Sequence, residues 1–320
     1  MLIQTKGLKK SFKTRGKVVE AVRGIDLDVK EGEIFGLLGT NGAGKTTTLR
    51  MLATLIEPTS GSATVCGHDL LKDSAKVRET IGYVGQSGGT WDEVSARGEL
   101  IHQGRLYGMS KKEAASRAVD VLDSFQLTEF ADRPCKTYSG GQRRRLDIAL
   151  GIMHEPKLLF LDEPTTGLDP QSRAHMWDEV RRLRDRGTAI VLTTHYLDEA
   201  DALCDRLVIV DYGEVVVEGT PNHLKQEVSG DLVLIGVNGE APRAKDLLRA
   251  KDFVREIEAT EPDPTGLTTL RLYVEDGSAS VPVLLRELDR EGIEPASIEL
   301  HRPSLDDVFL KQTGRSLRDE

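Results

Sequence analysis

Short apolar segments separated by glycine and polar residues organise the first and third quarters of the chain. Ile25, Leu27 and Val29 alternate with polar residues, which is the period of a half-buried strand. Largely apolar runs of four to six residues instead predict strands buried on both faces, at residues 34–38, 158–161, 189–194 and 207–210. Because these runs alternate with segments of helical period, the pattern predicts an α/β unit with a parallel sheet.

Helical periodicity is concentrated between residues 87 and 150. Ala114, Ala118, Val121 and Leu122 recur at the spacing of a helix with one buried face. In this region we predict helices at residues 100–107, 111–125 and 141–153, and earlier in the chain a helix at residues 46–55. A mainly helical region is therefore expected between two groups of strands.

The last part of the chain has a different order of elements. Its pattern predicts strands at residues 232–237, 254–258, 267–274 and 297–300, and helices at residues 241–250, 281–290 and 305–310. Strand-helix-strand-strand-helix-strand is the order of a split βαβ unit, a ferredoxin-like α+β fold. Ser229-Gly230 interrupts the two patterned regions. We therefore predict two domains, residues 1–228 and 231–314.

The composition is typical of globular domains, and the net charge bears on which partners the protein can bind. The 320 residues are 38% hydrophobic and 30% charged, with 43 Lys+Arg against 52 Asp+Glu and a net charge of −9. Most of this excess lies in residues 231–320, which carry 19 acidic and 12 basic side chains. Nucleic acid is not expected as a partner, because phosphate backbones attract positive surfaces.

Three further observations bear on location. No apolar run reaches the roughly 18–20 residues that a membrane-spanning helix needs. The N-terminal residues lack the apolar core of a signal peptide. Cys66, Cys135 and Cys204 are far apart and odd in number, as in proteins of a reducing compartment. We expect a cytoplasmic protein.

The strongest chemical signal is the sequence GTNGAGKT at residues 39–46, which fits G-x-x-x-x-G-K-[ST]. Its glycines let the backbone curl so that N–H groups point at phosphate oxygens, and the helix that follows adds positive charge. Lys45 is expected to reach the β- and γ-phosphates, and Thr46 to bind Mg²⁺. A chance glycine turn is the alternative, which the flanking strand and helix disfavour.

Two carboxylates, Asp162 and Glu163, end the apolar run at residues 158–161. Parallel strands end at one edge of a sheet, so these side chains are expected beside the phosphate loop. Asp162 would hold Mg²⁺, and Glu163 would polarise the attacking water. An apolar run that ends in Asp-Glu is common and usually marks only the end of a strand. It indicates a catalytic site here because the same chain also contains the phosphate loop.

A third motif, YSGGQ at residues 138–142, completes an ordered set. With it, residues 1–225 resemble the ATP-binding subunits of ATP-binding-cassette (ABC) transporters. The resemblance implies a RecA-like core, an antiparallel β subdomain and a helical subdomain at about residues 87–150. It implies hydrolysis of ATP with Mg²⁺ as cofactor.

The resemblance also assigns residues. It implies nucleotide contacts from Phe12, which would stack on adenine, and from Gly39, Asn41, Gly42, Ala43, Gly44, Lys45, Thr46, Thr47, Ser139, Gly140, Gly141, Gln142 and Asp169. The metal-binding residues would be Thr46, Gln86 and Asp162. Catalysis would depend on Glu163, His195, Lys45 and Gln86.

Several of these assignments have a plainer interpretation. Phe12 taken alone would more often be a core or surface residue. Gln86 could lie in a plain turn, and His195 could simply end a strand. Their places in the motif order favour the functional interpretation. The three arginines at residues 143–145 could form a solvated helix face or could orient against phosphates or acidic groups.

The family likeness further implies partners. Two copies would form a head-to-tail homodimer in which Ser139 and Gly141 of one subunit close the ATP site of the other. A separate transmembrane permease would hold the dimer at the inner face of the cell membrane, and the chain would be membrane-associated only through it. The segment after Gln86 would transmit movement to that permease.

Within the family, YSGGQRRRL at residues 138–146 and PSLDDVFL at residues 303–310 are most similar to the daunorubicin/doxorubicin-resistance exporters. The sequence departs from the usual pattern in three places. Tyr138 replaces a leucine, and Thr40 replaces the more usual proline, where only the backbone should matter. Gly98 and Glu99 stand where Glu and Asn are expected, in the region that would contact the permease.

We therefore expect an ABC exporter ATPase that powers efflux of a hydrophobic drug-like or lipid-like compound. The alternative is a soluble non-transport ABC ATPase that acts on nucleic acid or ribosomes. Such proteins usually show tandem cassettes, a long coiled-coil insertion or a basic arm, and this sequence shows one cassette and an acidic C-terminal region. A non-catalytic nucleotide sensor is disfavoured by Glu163 and His195.

Overall fold

The computed structural model describes residues 1–14, 16–261 and 267–314. The chain divides into two compact units, Met1–Thr220 and Pro221–Asp319. Each unit has its own sheet structure and its own apolar core.

The strands of the first unit are β1 (Ile3–Thr14), β2 (Lys17–Ile25), β3 (Asp28–Val29), β4 (Ile34–Leu38), β5 (Ser60–Val65), β6 (His68–Asp69), β7 (Ile81–Val84), β8 (Leu158–Asp162), β9 (Ala189–Thr194), β10 (Arg206–Asp211) and β11 (Glu214–Gly219). Its helices are α1 (Lys45–Leu52), α2 (Ser74–Thr80), α3 (Ala96–Leu106), α4 (Lys111–Ser124), α5 (Gly140–Gly151), α6 (Pro170–Asp185) and α7 (Leu197–Leu203). Short 3₁₀ helices cover Thr128–Phe130 and Cys135–Thr137.

The main sheet has the strand order β11-β10-β4-β9-β8-β7. All neighbours are parallel except β11, which pairs antiparallel with β10. Every residue of β4, β8 and β9 is buried, as their continuous apolar runs predict. Because these strands are parallel neighbours, the residues that follow them meet at one edge of the sheet.

A second, antiparallel sheet in the order β2-β1-β5-β6 packs against the same core. Ile3 and Leu8 of this sheet share that core with Leu49 of α1 and with Phe160 and Val191 of the main sheet. Helix α1, which follows the phosphate loop, thus packs against side chains from both sheets.

Helices α3 to α5 form the predicted helical region between β7 and β8. Helix α3 begins at Ala96, four residues before the predicted start, because the Ser95 side chain caps it by accepting the Gly98 N–H. Helix α4 begins with a capping box in which Ser110 and Glu113 satisfy each other's backbone N–H groups. These polar caps fix boundaries that apolar spacing leaves open.

The second unit contains α8 (Pro221–Ser229), β12 (Asp231–Asn238), α9 (Ala241–Arg249), β13 (Val254–Ala259), β14 (Leu267–Val274), α10 (Gly277–Arg290), β15 (Pro295–His301) and α11 (Leu305–Thr313). Its antiparallel sheet has the order β13-β14-β12-β15, as expected of the split βαβ arrangement. Helix α10 begins at Gly277 rather than near residue 281, since Asp276 caps it ahead of Pro282.

In the described parts of the chain, no helix combines the length and the apolar character needed to cross a membrane.

Candidate functional site

The phosphate loop runs from the end of β4 to the start of α1, and its glycines are demanded by geometry. Gly42 and Gly44 have φ values of 80° and 105°, a region that side chains avoid. A Cβ atom on Gly39 would lie 2.2 Å from the carbonyl oxygen of Val210 in β10. The loop therefore fits against the sheet only because these positions carry no side chain.

Lys45 places a positive charge inside this loop. The side chain is buried, and its Nζ donates hydrogen bonds to the carbonyl oxygens of Gly39 (2.6 Å) and Thr40 (2.8 Å). Thr40 contributes its backbone here, as expected for this departure from the family pattern. The ammonium group and the N-terminal end of α1 together make the loop an anion site.

Asp162, the last residue of β8, has the environment of a metal-binding carboxylate. It is fully buried, and its Oδ1 accepts hydrogen bonds from the Oγ1 atoms of Thr46 (2.8 Å) and Thr193 (2.7 Å). Among the described atoms, its Oδ2 is buried with no hydrogen-bond partner. Mg²⁺ in such sites is held by one or two carboxylates together with substrate phosphates. Asp162 and Thr46 fit that ion.

Glu163 follows in a strained conformation that its neighbours maintain. Its φ is 48°, although it is not a glycine. Its backbone N–H donates to both the carbonyl oxygen (3.2 Å) and the Oγ1 (3.0 Å) of Thr193. Its Oε2 accepts a hydrogen bond from Thr166 at 3.1 Å, and its Oε1 lies 3.3 Å from Nδ1 of His195.

The neighbouring His195 lowers the pKa of Glu163, and the nearby Lys45 charge acts in the same direction, against the opposing effect of burial. The carboxylate is therefore ionised at neutral pH, as a proton acceptor must be. The ring of His195 is held against Tyr196, with 4.1 Å between ring centroids.

Gln86, just after β7, joins the same site. Its Nε2 donates to Thr46 Oγ1 at 3.4 Å. A cavity of about 140 Å³ is lined by Gln86 and Glu163 together with Ala21 and residues 41–47 of the loop. The structure thus brings together groups that are far apart in sequence. Backbone N–H groups, an ammonium and an ionised carboxylate around one cavity suit the hydrolysis of a terminal phosphate.

The SGGQ segment lies outside the lining of this cavity. Ser139 is exposed and caps α5 in a capping box with Gln142. A Cβ atom on Gly141 would lie 2.9 Å from Ser172 Oγ, so the start of α5 lies beside the start of α6. Asp169 caps α6, and hydrogen bonds from Ser172 lower its pKa. This exposed helix start is available to bind an anion on another molecule.

Phe12 is 39% exposed on β1, with the Lys10 ammonium 5.2 Å from its ring centroid. It pairs with Val19 of β2, the strand that also carries the cavity residue Ala21. An exposed ring on this strand is available for stacking, and contact with adenine stays a prediction.

Sequence reasoning missed Arg144, for which the solvated-face interpretation is wrong. This side chain is buried and donates to the carbonyl oxygens of Pro164 (2.8 Å), Gly85 (2.6 Å), Asp162 (3.1 Å) and Glu163 (3.2 Å). It thereby joins α5 to the backbone of residues 162–164 and to Gly85, the residue before Gln86. The sequence does hold one signal of this burial: Arg144 lies four residues before the apolar Ile148, so the two side chains share one face of α5, and Ile148 is buried.

The departures from the family pattern also find structural roles. The hydroxyl of Tyr138 donates to the carbonyl oxygen of Phe130 at 2.6 Å, and the two rings meet edge to face. Glu99 is buried, and its Oε1 accepts the backbone N–H of Trp91 at 2.8 Å. Glu99 thus anchors the loop that follows Gln86.

Comparison with known proteins agrees with this geometry. Residues 22–166 match the family model for ABC transporters, and residues 219–313 match that for the ATP-binding protein DrrA1-3-like, C-terminal domain. The chain is 43% identical to the daunorubicin/doxorubicin resistance ATP-binding protein DrrA of Streptomyces peucetius, over 99% of this chain and 94% of that protein. It is 37% identical to the linearmycin resistance ATP-binding protein LnrL of Bacillus subtilis, over 99% and 100% respectively. It is also 39% identical to the Nod factor export ATP-binding protein I of Burkholderia orbicola, over 93% of each.

Solved structures are similar to 68–71% of this chain. The ATP-binding subunit of an ABC transporter superimposes with a TM-score of 0.63 at 27% identity, covering 71% of this chain and 93% of the other. A dimeric ATP-binding cassette in a post-hydrolysis state, bound to ADP and Pi, gives a TM-score of 0.63 at 27% identity, over 68% and 98% respectively. The chain therefore belongs to the ABC transporter ATP-binding proteins, with an ATP-binding cassette followed by a DrrA-like C-terminal domain.

Proposed function

We propose that this protein hydrolyses ATP to drive export of a hydrophobic drug-like or lipid-like compound through a separate membrane permease. The cavity in which the phosphate loop, Gln86 and Glu163 meet carries the proposal. Relatives named for daunorubicin/doxorubicin resistance, linearmycin resistance and Nod factor export support the direction of transport.

The site residues would divide the reaction as follows. Backbone N–H groups of the loop and Lys45 bind the β- and γ-phosphates and offset their charge. Thr46 and Asp162, with Gln86 beside them, would hold Mg²⁺, which when bound neutralises charge on the phosphate oxygens. Glu163 orients a water molecule and accepts its proton as the water oxygen bonds to the γ-phosphorus. The bond to the bridging oxygen of ADP then breaks.

A second copy of the chain is expected to complete each site. The exposed Ser139 and the glycines after it form a helix start outside the cavity of their own subunit. In a head-to-tail homodimer, this start would face the γ-phosphate bound by the partner. The dimeric cassette with ADP and Pi supports this arrangement. ATP would then favour the closed dimer, because contacts to it from both subunits exist only when they meet.

We place the permease contact at the other side of Gln86. A larger cavity, of about 570 Å³, is lined by residues that include Gln86, Arg50 and Tyr107. In the same helical region, Trp91 is 70% and Leu106 is 69% exposed. Exposed large apolar side chains mark protein–protein contact. This attachment would hold the protein at the cytoplasmic face of the membrane.

The test compares ATP turnover of the wild type with that of Glu163→Gln, which keeps the shape of the side chain and removes its charge. Loss of a general base lowers kcat by about 10²–10⁴-fold. Glu129→Gln, at an exposed site in the helical region, is the matched control and should leave turnover unchanged. Light scattering with and without MgATP should show that Glu163→Gln accumulates an ATP-bound dimer. Turnover above a tenth of the wild-type rate, or no dimer in either protein, would contradict the proposal.

A further inference from the structure

Three adjacent arginines on α5 bind three different parts of the first unit. Arg143 donates from Nε to Thr90 Oγ1 (2.9 Å) and from Nη2 to the Thr90 carbonyl (3.1 Å) and Asp92 Oδ1 (2.6 Å). Arg144 binds the backbone around the catalytic carboxylates, as described above. Arg145 donates to the carbonyl oxygen of Phe125, at the end of α4.

The loop that Arg143 grips, residues 87–94, is the segment between Gln86 and α3. Its backbone is also fixed by Glu99, which accepts the Trp91 N–H, and by Lys136, whose N–H donates to the Asp92 carbonyl at 3.0 Å. The Trp91 side chain nevertheless remains 70% exposed. Hydrogen bonds from the rest of the first unit therefore fix the backbone of the loop, while the Trp91 side chain is exposed at the surface. Such side chains are the usual anchors of protein interfaces.

The geometry of these bonds makes α5 a stiff link. A guanidinium that donates to several acceptors at once fixes both distance and orientation. Helix α5 has 12 residues, so it spans about 18 Å at 1.5 Å per residue. It begins at the signature residue Ser139, and Arg143 and Arg144 lie within its second turn.

We propose that α5 transmits movement through these two arginines. Arg144 is a positioning residue that holds the backbone of Asp162 and Glu163 for catalysis. Arg143 joins loop 87–94 to the signature helix, so that displacement of Ser139 by nucleotide carries Trp91 with it. The inference rests on the proposed function, in which Ser139 meets the nucleotide of a second copy and Trp91 faces the permease.

Trp91 itself can report the Arg143 link, because the chain has two tryptophans and Trp177 can be replaced by phenylalanine. The test uses the full chain with Trp177→Phe and Glu163→Gln, so that MgATP binds without turnover. MgATP should shift the Trp91 emission maximum in this parent. Arg143→Gln should abolish the shift while light scattering still shows the ATP-bound dimer. Arg145→Gln, the matched control, should keep it.

The Arg144 link is tested by steady-state kinetics with Glu163 intact. Arg144→Gln should lower kcat at least tenfold and change KM for ATP by less than about threefold, since the phosphate loop is untouched. Arg144→Lys keeps one donor and should retain intermediate turnover, which separates positioning from failure to fold. Circular dichroism verifies folding of both variants.

Each part can be refuted separately. A Trp91 shift that survives Arg143→Gln, or a dimerised parent without any shift, would overturn the role of Arg143. Wild-type kcat in Arg144→Gln, or an equal loss in Arg145→Gln, would overturn the role of Arg144. Failure of the proposed function would appear earlier, as a wild type without turnover or a parent that does not dimerise with MgATP.

Discussion

Thr193 carries a buried hydroxyl that hydrogen-bonds to both Asp162 and Glu163, and its replacement by valine is the most direct test of the site. Its Oγ1 donates to Asp162 Oδ1 at 2.7 Å and accepts the Glu163 N–H at 3.0 Å. Valine preserves the shape of the side chain and the strand, so that the change removes only these two hydrogen bonds. We expect Thr193→Val to lower both stability and turnover.

The size of the stability loss follows from the two bonds. A hydrogen bond to a charged group contributes about 1.5–3 kcal/mol, and a neutral one about 0.5–1.5 kcal/mol. In the valine variant the Glu163 N–H still has the Thr193 carbonyl oxygen at 3.2 Å, so losing its bond to the hydroxyl costs less than a full hydrogen bond. The free energy of unfolding should therefore fall by about 2–4 kcal/mol. Turnover should fall by about tenfold, because misplaced catalytic groups lose their alignment.

Urea unfolding followed by tryptophan fluorescence measures this change. Both tryptophans, Trp91 and Trp177, lie in the first unit, so the signal reports that unit alone. Thr64→Val, at an exposed position of β5, is the control for replacing a strand hydroxyl. Surface substitutions usually change stability by less than about 0.5 kcal/mol. A Thr193→Val loss no larger than that of the control would refute the reasoning.

Three further outcomes are expected. Phe12→Ala should weaken ADP binding about tenfold in calorimetry, because stacking of a base on an aromatic ring contributes ~1–3 kcal/mol. Phe12→Tyr keeps an aromatic ring and should bind ADP as the wild type does. Equal affinity of the two variants for ADP would argue against stacking. Gly39→Ala should abolish nucleotide binding, because its Cβ would lie 2.2 Å from a backbone oxygen of β10, whereas Gly89→Ala has open space and should bind normally. Burial lowers the pKa of His154, so its contribution to stability is present above pH 6.5, its ordinary pKa, and is lost as pH falls below it. The stability difference between wild type and His154→Gln should therefore shrink from pH 8 to pH 5.5, and parallel pH profiles would count against this.

The phosphate loop could be predicted from sequence because its requirements are local. Gly42 and Gly44 serve backbone angles at their own positions, and Lys45 and Thr46 follow at fixed spacing. The buried strands could be predicted for a similar reason, since a run of apolar residues needs no named partner. The bounds of β4 and β9 are those predicted, and the bounds of β8 and β10 differ by one residue at one end or both.

The contacts of Arg144 and Thr193 could not be predicted, because their partners are main-chain and carboxylate atoms of distant segments. An arginine between two others looks like a solvated charge until the fold places four carbonyl oxygens around it. A threonine near the end of an apolar strand likewise gains its role only from β8 beside it. The Glu99 departure, too, gains its meaning from the backbone of Trp91.

The strand order has a consequence for how the chain is made. β4 is synthesised early, yet both of its neighbours come late, since Ile34 pairs with Ile190 and Phe35 with Arg206. A half-finished chain on the ribosome therefore carries its phosphate loop on a strand with no partner on either side. Pairings this distant form slowly and leave apolar edges exposed to aggregation. The proposed catalytic set is complete only after residue 195 has emerged, and the edges of β4 stay unpaired until β9 and β10 have been made.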